Sequence, residues 1–227
     1  MNAARPTAKI LYLHGFASGP GSAKARAFAE FASERQIPFE PLDLRRPSFE
    51  RLRLSAMIDH VRDRIGDARE RVVLVGSSLG GLTACRVAER DPRVAALVLM
   101  APAFRLMDLW ATRLGPEGLA DWAAAGWLEV DDYQARAKAR VDYGFFEDMT
   151  RADPEELPDV RVPVLLVHGA GDEVVPVARA RAFAEGRRNV RLVEVDDGHE
   201  LVRSLPFLLA ESARFLAGWG WERGVTP

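Results

Sequence analysis

The apolar residues of this chain follow two alternating patterns. Some form short continuous runs, which are typical of buried strands, and others recur at three- or four-residue spacing, which is typical of amphipathic helices. The runs predict six strands, at residues 9–13, 39–44, 72–75, 94–100, 162–167 and 190–195. Because predicted helices separate most of these strands, the sequence favours an α/β fold, with a mostly parallel sheet that helices cover on both faces.

Serine and glycine residues mark the predicted helix ends. Ser22 is expected to cap a helix that runs to about residue 36, and Ser48 is expected to open the next helix, which Gly66 ends. The closing helix is predicted to carry an apolar face from Leu201 to Trp219, with a frayed tail after it.

The alternation of strand and helix breaks between residues 101 and 158. This segment contains three tryptophans and no clear strand pattern. We expect a single domain over residues 1–227, in which residues 101–158 form a short helical cap. Such an insertion is predicted to lie over the carboxyl ends of the strands, where open α/β sheets bind their ligands.

The central motif is a serine between two glycines, Gly76, Ser78 and Gly80, placed between an apolar run and a helical stretch. Glycine at both flanking positions allows the backbone to turn sharply and to raise the serine hydroxyl above the sheet. The turn also opens a helix, so its amides and the positive end of the helix dipole face the hydroxyl. Alone, the motif also fits a glycine-rich corner without chemistry.

A nucleophilic serine needs a base, and four histidines are available. His60 lies within an amphipathic helix, and His14 and His168 each end a strand immediately before a glycine. His199 follows the last predicted strand, on a loop before the final helix. Because a loop at the carboxyl end of a strand can reach Ser78, His199 is the predicted base.

A carboxylate is needed to orient that histidine. Asp172 follows the strand at 162–167 after a short glycine turn, and it is the predicted acid, with Asp108 as the alternative. The resulting order of Ser78, Asp172 and His199 is the order found in α/β-hydrolases.

The oxyanion hole and the substrate contacts complete the predicted site. The amides of Leu79, directly after the nucleophile, and of Phe16, in the loop after the first strand, are the predicted oxyanion donors. Four residues are predicted to contact the substrate: His14, Trp110, Phe146 and Val174.

Composition narrows the class of partner. The 31 basic and 33 acidic residues give a net charge of −2, which provides no reason to expect nucleic acid or an anionic membrane as a partner. Cys85 is the single cysteine, so an internal disulfide and cysteine-rich metal sites are excluded. No apolar run near the start is long enough for a signal peptide. We expect a cytoplasmic protein without cofactor or metal, and the oligomeric state stays open.

Four segments carry a family resemblance: residues 14–25, 76–81, 171–176 and 198–199. Together they resemble small bacterial α/β-hydrolases of the YqiA-type esterase group, and they are also similar to acyl-protein thioesterases of the same fold. The resemblance implies a serine carboxylesterase that needs no cofactor and acts on a small ester or thioester. Thioester or amide cleavage by the same residues, and a binding protein without catalysis, remain the alternatives.

Overall fold

A computed structural model describes residues 8–66, 71–154 and 156–217. The strands are β1 (Ala8–Leu13), β2 (Phe39–Leu42), β3 (Arg71–Ser77), β4 (Val94–Met100), β5 (Trp127–Asp132), β6 (Ala137–Asp142), β7 (Val164–Gly169) and β8 (Val190–Val195). The helices are α1 (Ala23–Ser33), α2 (Leu54–Ile65), α3 (Leu79–Ala88), α4 (Leu106–Ala125), α5 (Gly144–Ala152), α6 (Val177–Ala184) and α7 (Leu205–Ala217).

Six of these strands form one sheet in the order β2-β1-β3-β4-β7-β8, and every pairing in it is parallel. All six correspond to the strands predicted from the apolar runs, with ends displaced by up to two residues. The carboxyl ends of β3, β7 and β8 therefore lie at one edge of the sheet, where the predicted catalytic residues follow them.

Each face of the sheet has its own apolar layer, because successive side chains of a strand point to opposite faces. In β1, Leu11 and Leu13 belong to the apolar layer that contains residues of α2, α3 and α6, whereas Ile10 and Tyr12 belong to the layer that contains residues of α1 and α7. The predicted placement of helices on both faces is confirmed.

The start of α1 agrees with the prediction, and the start of α2 does not. Ser22 caps α1, since its hydroxyl accepts a hydrogen bond from the Ala25 amide. Ser48 instead stabilises a turn before α2 by accepting from the Arg51 amide. The first turn of α2 is capped from a distant element: the Asp148 carboxylate of α5 accepts from both the Ser55 amide and the Ser55 hydroxyl.

The segment 101–158 contains two strands that were not predicted. Strands β5 and β6 form an antiparallel hairpin. Apolar and polar residues alternate over residues 128–131 and over Ala137–Asp142, so the sequence did carry the pattern of two half-buried strands. Helices α4 and α5 flank the hairpin, and α4 is interrupted at Gly115, whose φ of 68° is not helical. The predicted helical cap contains two helices, and it also contains the hairpin, which was not predicted.

The closing helix begins later than predicted. Leu201 is fully buried but lies in the loop before α7, and Leu208 and Ser212 form part of the buried face of the helix. Trp219 and the predicted frayed tail lie outside the described residues. Within the part of the chain that the structure covers, no helix has the length and apolar character needed to span a membrane.

Candidate active site

Ser78 occupies the sharp turn between β3 and α3. Its backbone has φ of 52° and ψ of −117°, a conformation that non-glycine residues rarely adopt and that is often found at functional sites. A Cβ atom at Gly76 would come within 2.5 Å of the Gly80 carbonyl oxygen, and one at Gly80 within 2.1 Å of the Leu13 carbonyl oxygen. Both glycines are therefore required by the close approach of backbone to backbone, as predicted.

Ser78, His199 and Asp172 form a continuous chain of hydrogen bonds. The Ser78 hydroxyl donates to His199 Nε2 across 3.1 Å, and His199 Nδ1 donates to Asp172 Oδ2 across 2.8 Å. With Asp172 ionised, Nδ1 carries the ring proton and Nε2 presents a lone pair to the hydroxyl. The structure thus brings together the three side chains predicted from the sequence, in an arrangement suited to proton transfer from serine to histidine.

The Asp172 carboxylate has donors on both oxygens. Oδ1 accepts from the amides of Val174 and Val175 at 2.9 and 2.8 Å, while Oδ2 faces His199 and also lies 3.2 Å from His168 Nε2. Burial opposes ionisation, but the hydrogen bonds from His168, His199 and the Val175 amide outweigh it and hold the pKa of Asp172 well below its usual range. Asp172 is therefore ionised at neutral pH.

The loops that carry Asp172 and His199 are packed directly against each other. The Gly171 amide donates to the Asp197 carbonyl oxygen, and a Cβ atom at Gly169 would come within 2.4 Å of that same oxygen. Glycine at the end of β7 thus permits the two loops to meet. The Asp197 carboxylate accepts hydrogen bonds from the amides of Gly198 and Ser204 and so stabilises the turn that carries His199.

The loop after β1 lies directly over the serine. A Cβ atom at Gly15 would come within 3.2 Å of Ser78 Cβ, so this loop and the turn at Ser78 are in contact. Leu79 is the first residue of α3, so its amide has no acceptor within the helix. Phe16 and Leu79 line one cavity together. Their role as oxyanion donors stays a prediction.

His14 holds this loop and also lines the cavity beside Phe16 and Leu79. The side chain is buried, Nε2 accepts from the Leu44 amide, and Nδ1 donates to the Gly15 carbonyl oxygen. Burial lowers the pKa of His14, which favours this neutral ring. Both ring nitrogens are used within the protein, so His14 has a structural role here, and its predicted substrate contact stays a prediction.

Aromatic side chains extend from Phe16 into the segment 101–158. The Phe16 ring contacts Trp110 edge-on at 5.1 Å between centroids and stacks on Phe145 at 6.0 Å. Phe146 lies one layer further away and stacks on Tyr143 at 5.4 Å. Phe146 was predicted to contact the substrate, but it is the neighbouring Phe145 that contacts the loop carrying Phe16. The helical spacing of α5 could have indicated that these adjacent residues face different ways.

Other predicted candidates lie at the edge of the site or away from it. The Val174 side chain is 56% exposed beside Asp172, so its predicted substrate contact stays open. Asp108, the alternative acid, forms ion pairs with Arg105 and Arg179 and has a 44% exposed side chain. His60 lies on α2, where it contacts Arg46. No cluster of three or more potential metal ligands occurs within residues 8–66, 71–154 and 156–217.

The fold and the site define a class of protein. A parallel sheet with a serine on a strained strand-to-helix turn, followed along the chain by an aspartate loop and a histidine loop, is the architecture of the α/β-hydrolases. The chain belongs to the Uncharacterised protein family UPF0227, which it matches over residues 9–210. This finding confirms the resemblance and the fold class predicted from the sequence.

Known proteins support the same assignment. The pimeloyl-[acyl-carrier protein] methyl ester esterase of Aromatoleum aromaticum is 30% identical over 172 residues, which cover 59% of this chain and 69% of the esterase. Among solved structures, mouse alpha/beta hydrolase domain-containing protein 10 superposes with a TM-score of 0.78 at 22% identity, over 92% of this chain and 90% of the mouse chain. Est1E of Butyrivibrio proteoclasticus, solved with ferulic acid, gives 0.76 at 20% identity, over 97% of this chain and 92% of Est1E. The structures share the fold, and the relatives support an ester-cleaving hydrolase.

Proposed function

We propose that this protein is a serine carboxylesterase that cleaves esters of small or medium acyl chains through an acyl-enzyme intermediate. The observation that carries the proposal is the hydrogen-bonded chain from Ser78 Oγ through the His199 ring to Asp172 Oδ2, with links of 3.1 and 2.8 Å. Ser78 and His199 are partly accessible, whereas the Asp172 side chain is fully buried. This difference in exposure supports Ser78 as a nucleophile that a substrate can reach and Asp172 as an acid behind the base.

In the proposed reaction, Ser78 Oγ attacks the ester carbonyl carbon while His199 Nε2 takes the hydroxyl proton. The ionised Asp172 stabilises the resulting imidazolium and keeps its Nδ1–H directed inward. The amides of Phe16 and Leu79 are proposed to hold the oxyanion, and His199 then returns the proton to the leaving alcohol. Water activated by the same ring attacks the acyl-enzyme and releases the acid.

The aromatic side chains around the loop after β1 support an uncharged acyl group. This loop contacts the turn at Ser78 through Gly15, and its Phe16 ring packs against Trp110 and Phe145. Apolar surroundings favour apolar ligands because burial removes their surface from water. The methyl ester esterase from Aromatoleum aromaticum adds support for an ester as the substrate. Cys85 is unpaired and buried, in keeping with a proposed cytoplasmic location.

Labelling with a fluorophosphonate probe tests the proposal. The wild-type protein is expected to be labelled and to hydrolyse p-nitrophenyl butyrate, whereas Ser78→Ala should lose both properties and remain folded. Ser77→Ala is the matched control, because Ser77 is the neighbouring serine but is buried. An unlabelled, folded wild-type protein would contradict the proposal and favour a binding protein.

Matched butyryl ester, thioester and amide substrates test the leaving group. We expect the ester to give a higher kcat/KM than the amide, because an alcohol or phenol is a better leaving group than an amine, which leaves only once it is protonated. The thioester shows whether the enzyme prefers oxygen or sulfur in the leaving group. A higher kcat/KM on the thioester or on the amide would reassign the substrate class while retaining the three catalytic residues.

A further inference from the structure

Lys24 is a buried cation that contacts the loop carrying the proposed base. Its side chain is 11% exposed and belongs to the second residue of α1. The ammonium group donates to the Glu200 carbonyl oxygen at 3.0 Å and lies 3.4 Å from the Glu200 carboxylate. Glu200 directly follows His199. This hydrogen bond therefore joins α1 to the histidine loop, which comprises residues 196–204 between β8 and α7.

The position of Lys24 is unfavourable for α1 itself. Lysine is rarely buried, and a cation in the first turn of a helix opposes the helix dipole. The first turn of α1 contains no acidic residue that would offset this charge. The contact with Glu200 is therefore the observation that accounts for a lysine at this position.

The carbonyl contact matters more than the carboxylate contact. The Glu200 side chain is 74% exposed, and exposed ion pairs contribute little because water and salt screen them. The carbonyl group is part of the backbone, so a donor that holds it also restrains the peptide plane next to His199.

The histidine loop needs such a restraint. Leu201 has φ of 51° and is fully buried, and a non-glycine residue keeps this strained conformation only where its surroundings hold it. The Asp197 carboxylate holds the amides on either side of this segment, at Gly198 and Ser204. Lys24 holds the carbonyl in between, at Glu200.

We propose that Lys24 is a positioning residue that fixes the Glu200 carbonyl and thereby keeps the His199 ring aligned between Ser78 and Asp172. The proposal rests on the proposed esterase function. Lys24 does not touch the substrate, so its loss should lower kcat and leave KM nearly unchanged. A displacement of a catalytic group by about 1 Å can reduce the rate on the order of 100-fold.

The test compares three variants with p-nitrophenyl butyrate and the fluorophosphonate probe. Lys24→Met keeps an apolar stem as far as Cε but removes the donor, and kcat is expected to fall about 10- to 100-fold with a parallel fall in the labelling rate. Lys24→Arg keeps the charge and the donors and should restore a large part of the activity. Glu200→Ala keeps the carbonyl and should retain kcat within about threefold, since it removes an exposed charge.

Ser22→Ala is the matched control on the same helix. It removes the cap of α1 and is expected to lower the melting temperature without changing kcat, because the Ser22 hydroxyl accepts its capping hydrogen bond from Ala25 within α1. This variant distinguishes the effect of a less stable α1 from the effect of a misaligned His199 ring.

Folded Lys24→Met with wild-type kcat would overturn the proposal, and so would a Glu200→Ala variant as impaired as Lys24→Met. Should Lys24→Met not fold, Lys24→Gln provides the same comparison, because its amide is polar but one atom too short to replace the ammonium group. A wild-type protein that is neither labelled nor active would instead overturn the proposed esterase function.

Discussion

His168 Nε2 lies 3.2 Å from Asp172 Oδ2, the same oxygen that His199 Nδ1 contacts from 2.8 Å. The side chains of His168 and Asp172 are both fully buried. The same His168 nitrogen donates to the Val175 carbonyl oxygen at 2.8 Å. The other ring nitrogen, Nδ1, has no hydrogen-bond partner among the residues that the structure describes. His168 therefore links the aspartate to the far end of its own loop, and the proposed acid lies between two imidazoles.

Replacement of His168 by leucine is expected to impair both the loop and the reaction. The Val175 carbonyl would lose its donor, which costs about 1–3 kcal/mol when the group is buried. The free energy of unfolding, from urea titration, should fall by this amount, and kcat should fall with KM nearly unchanged.

Two variants make this result specific to His168. His168→Gln retains a donor and should recover part of kcat, whereas His60→Leu, on α2, should change kcat little. A leucine variant with wild-type kcat would show that His168 does not support Asp172.

The identity of the acid can be tested with a pair of aspartates. Asp172→Asn should lower kcat by about 10³- to 10⁴-fold, because an amide can hold His199 in the wrong tautomer. Asp108→Asn removes only an exposed carboxylate paired with Arg105 and Arg179, so kcat should be nearly unchanged. Steady-state kinetics of both variants decide the matter, and the reverse ranking would reassign the acid to Asp108.

Asp172 should also make stability depend on pH. Its pKa is depressed in the folded protein from an ordinary value of 3.8, so the stability it contributes is complete above that value and is lost as the pH falls toward the folded pKa. The difference in unfolding free energy between wild type and Asp172→Asn should therefore shrink from about pH 5 to about pH 3. Urea titrations at several pH values measure it, and a difference independent of pH would contradict the prediction.

The hairpin in the segment 101–158 is held by a buried ion pair. Asp132 and Arg45 form two hydrogen bonds, of 2.6 and 3.0 Å, and their side chains are 5% and 17% exposed. Asp132→Ala leaves a buried cation without its partner and should cost about 3 kcal/mol in unfolding free energy.

The neighbouring residue provides a matched control. Asp131 pairs with Lys138, but both side chains are more than half exposed, so Asp131→Ala should change stability little. Equal losses for the two variants would show that the buried pair has no special role in holding the hairpin.

Local chemistry in the sequence was enough to predict the six strands of the parallel sheet, the sharp turn and the three central side chains. Buried parallel strands require continuous apolar runs, as at residues 94–100. The turn at Ser78 requires glycine at Gly76 and Gly80, where two backbone segments come into contact. The order of serine, aspartate and histidine along the chain follows from this topology, because each lies at the carboxyl end of its strand. The family match over residues 9–210 agrees with this reading.

Only the tertiary structure decided which distant groups meet. Asp148 from α5 caps the start of α2, and Arg45 pairs with the hairpin, and no local pattern marks either contact. The contacts of His168 and Lys24 could not be predicted for the same reason, since a hydrogen bond depends on separation in space and not on separation along the chain. The sequence specified the chemical groups, and the packing of loops against one another determined how those groups are aligned.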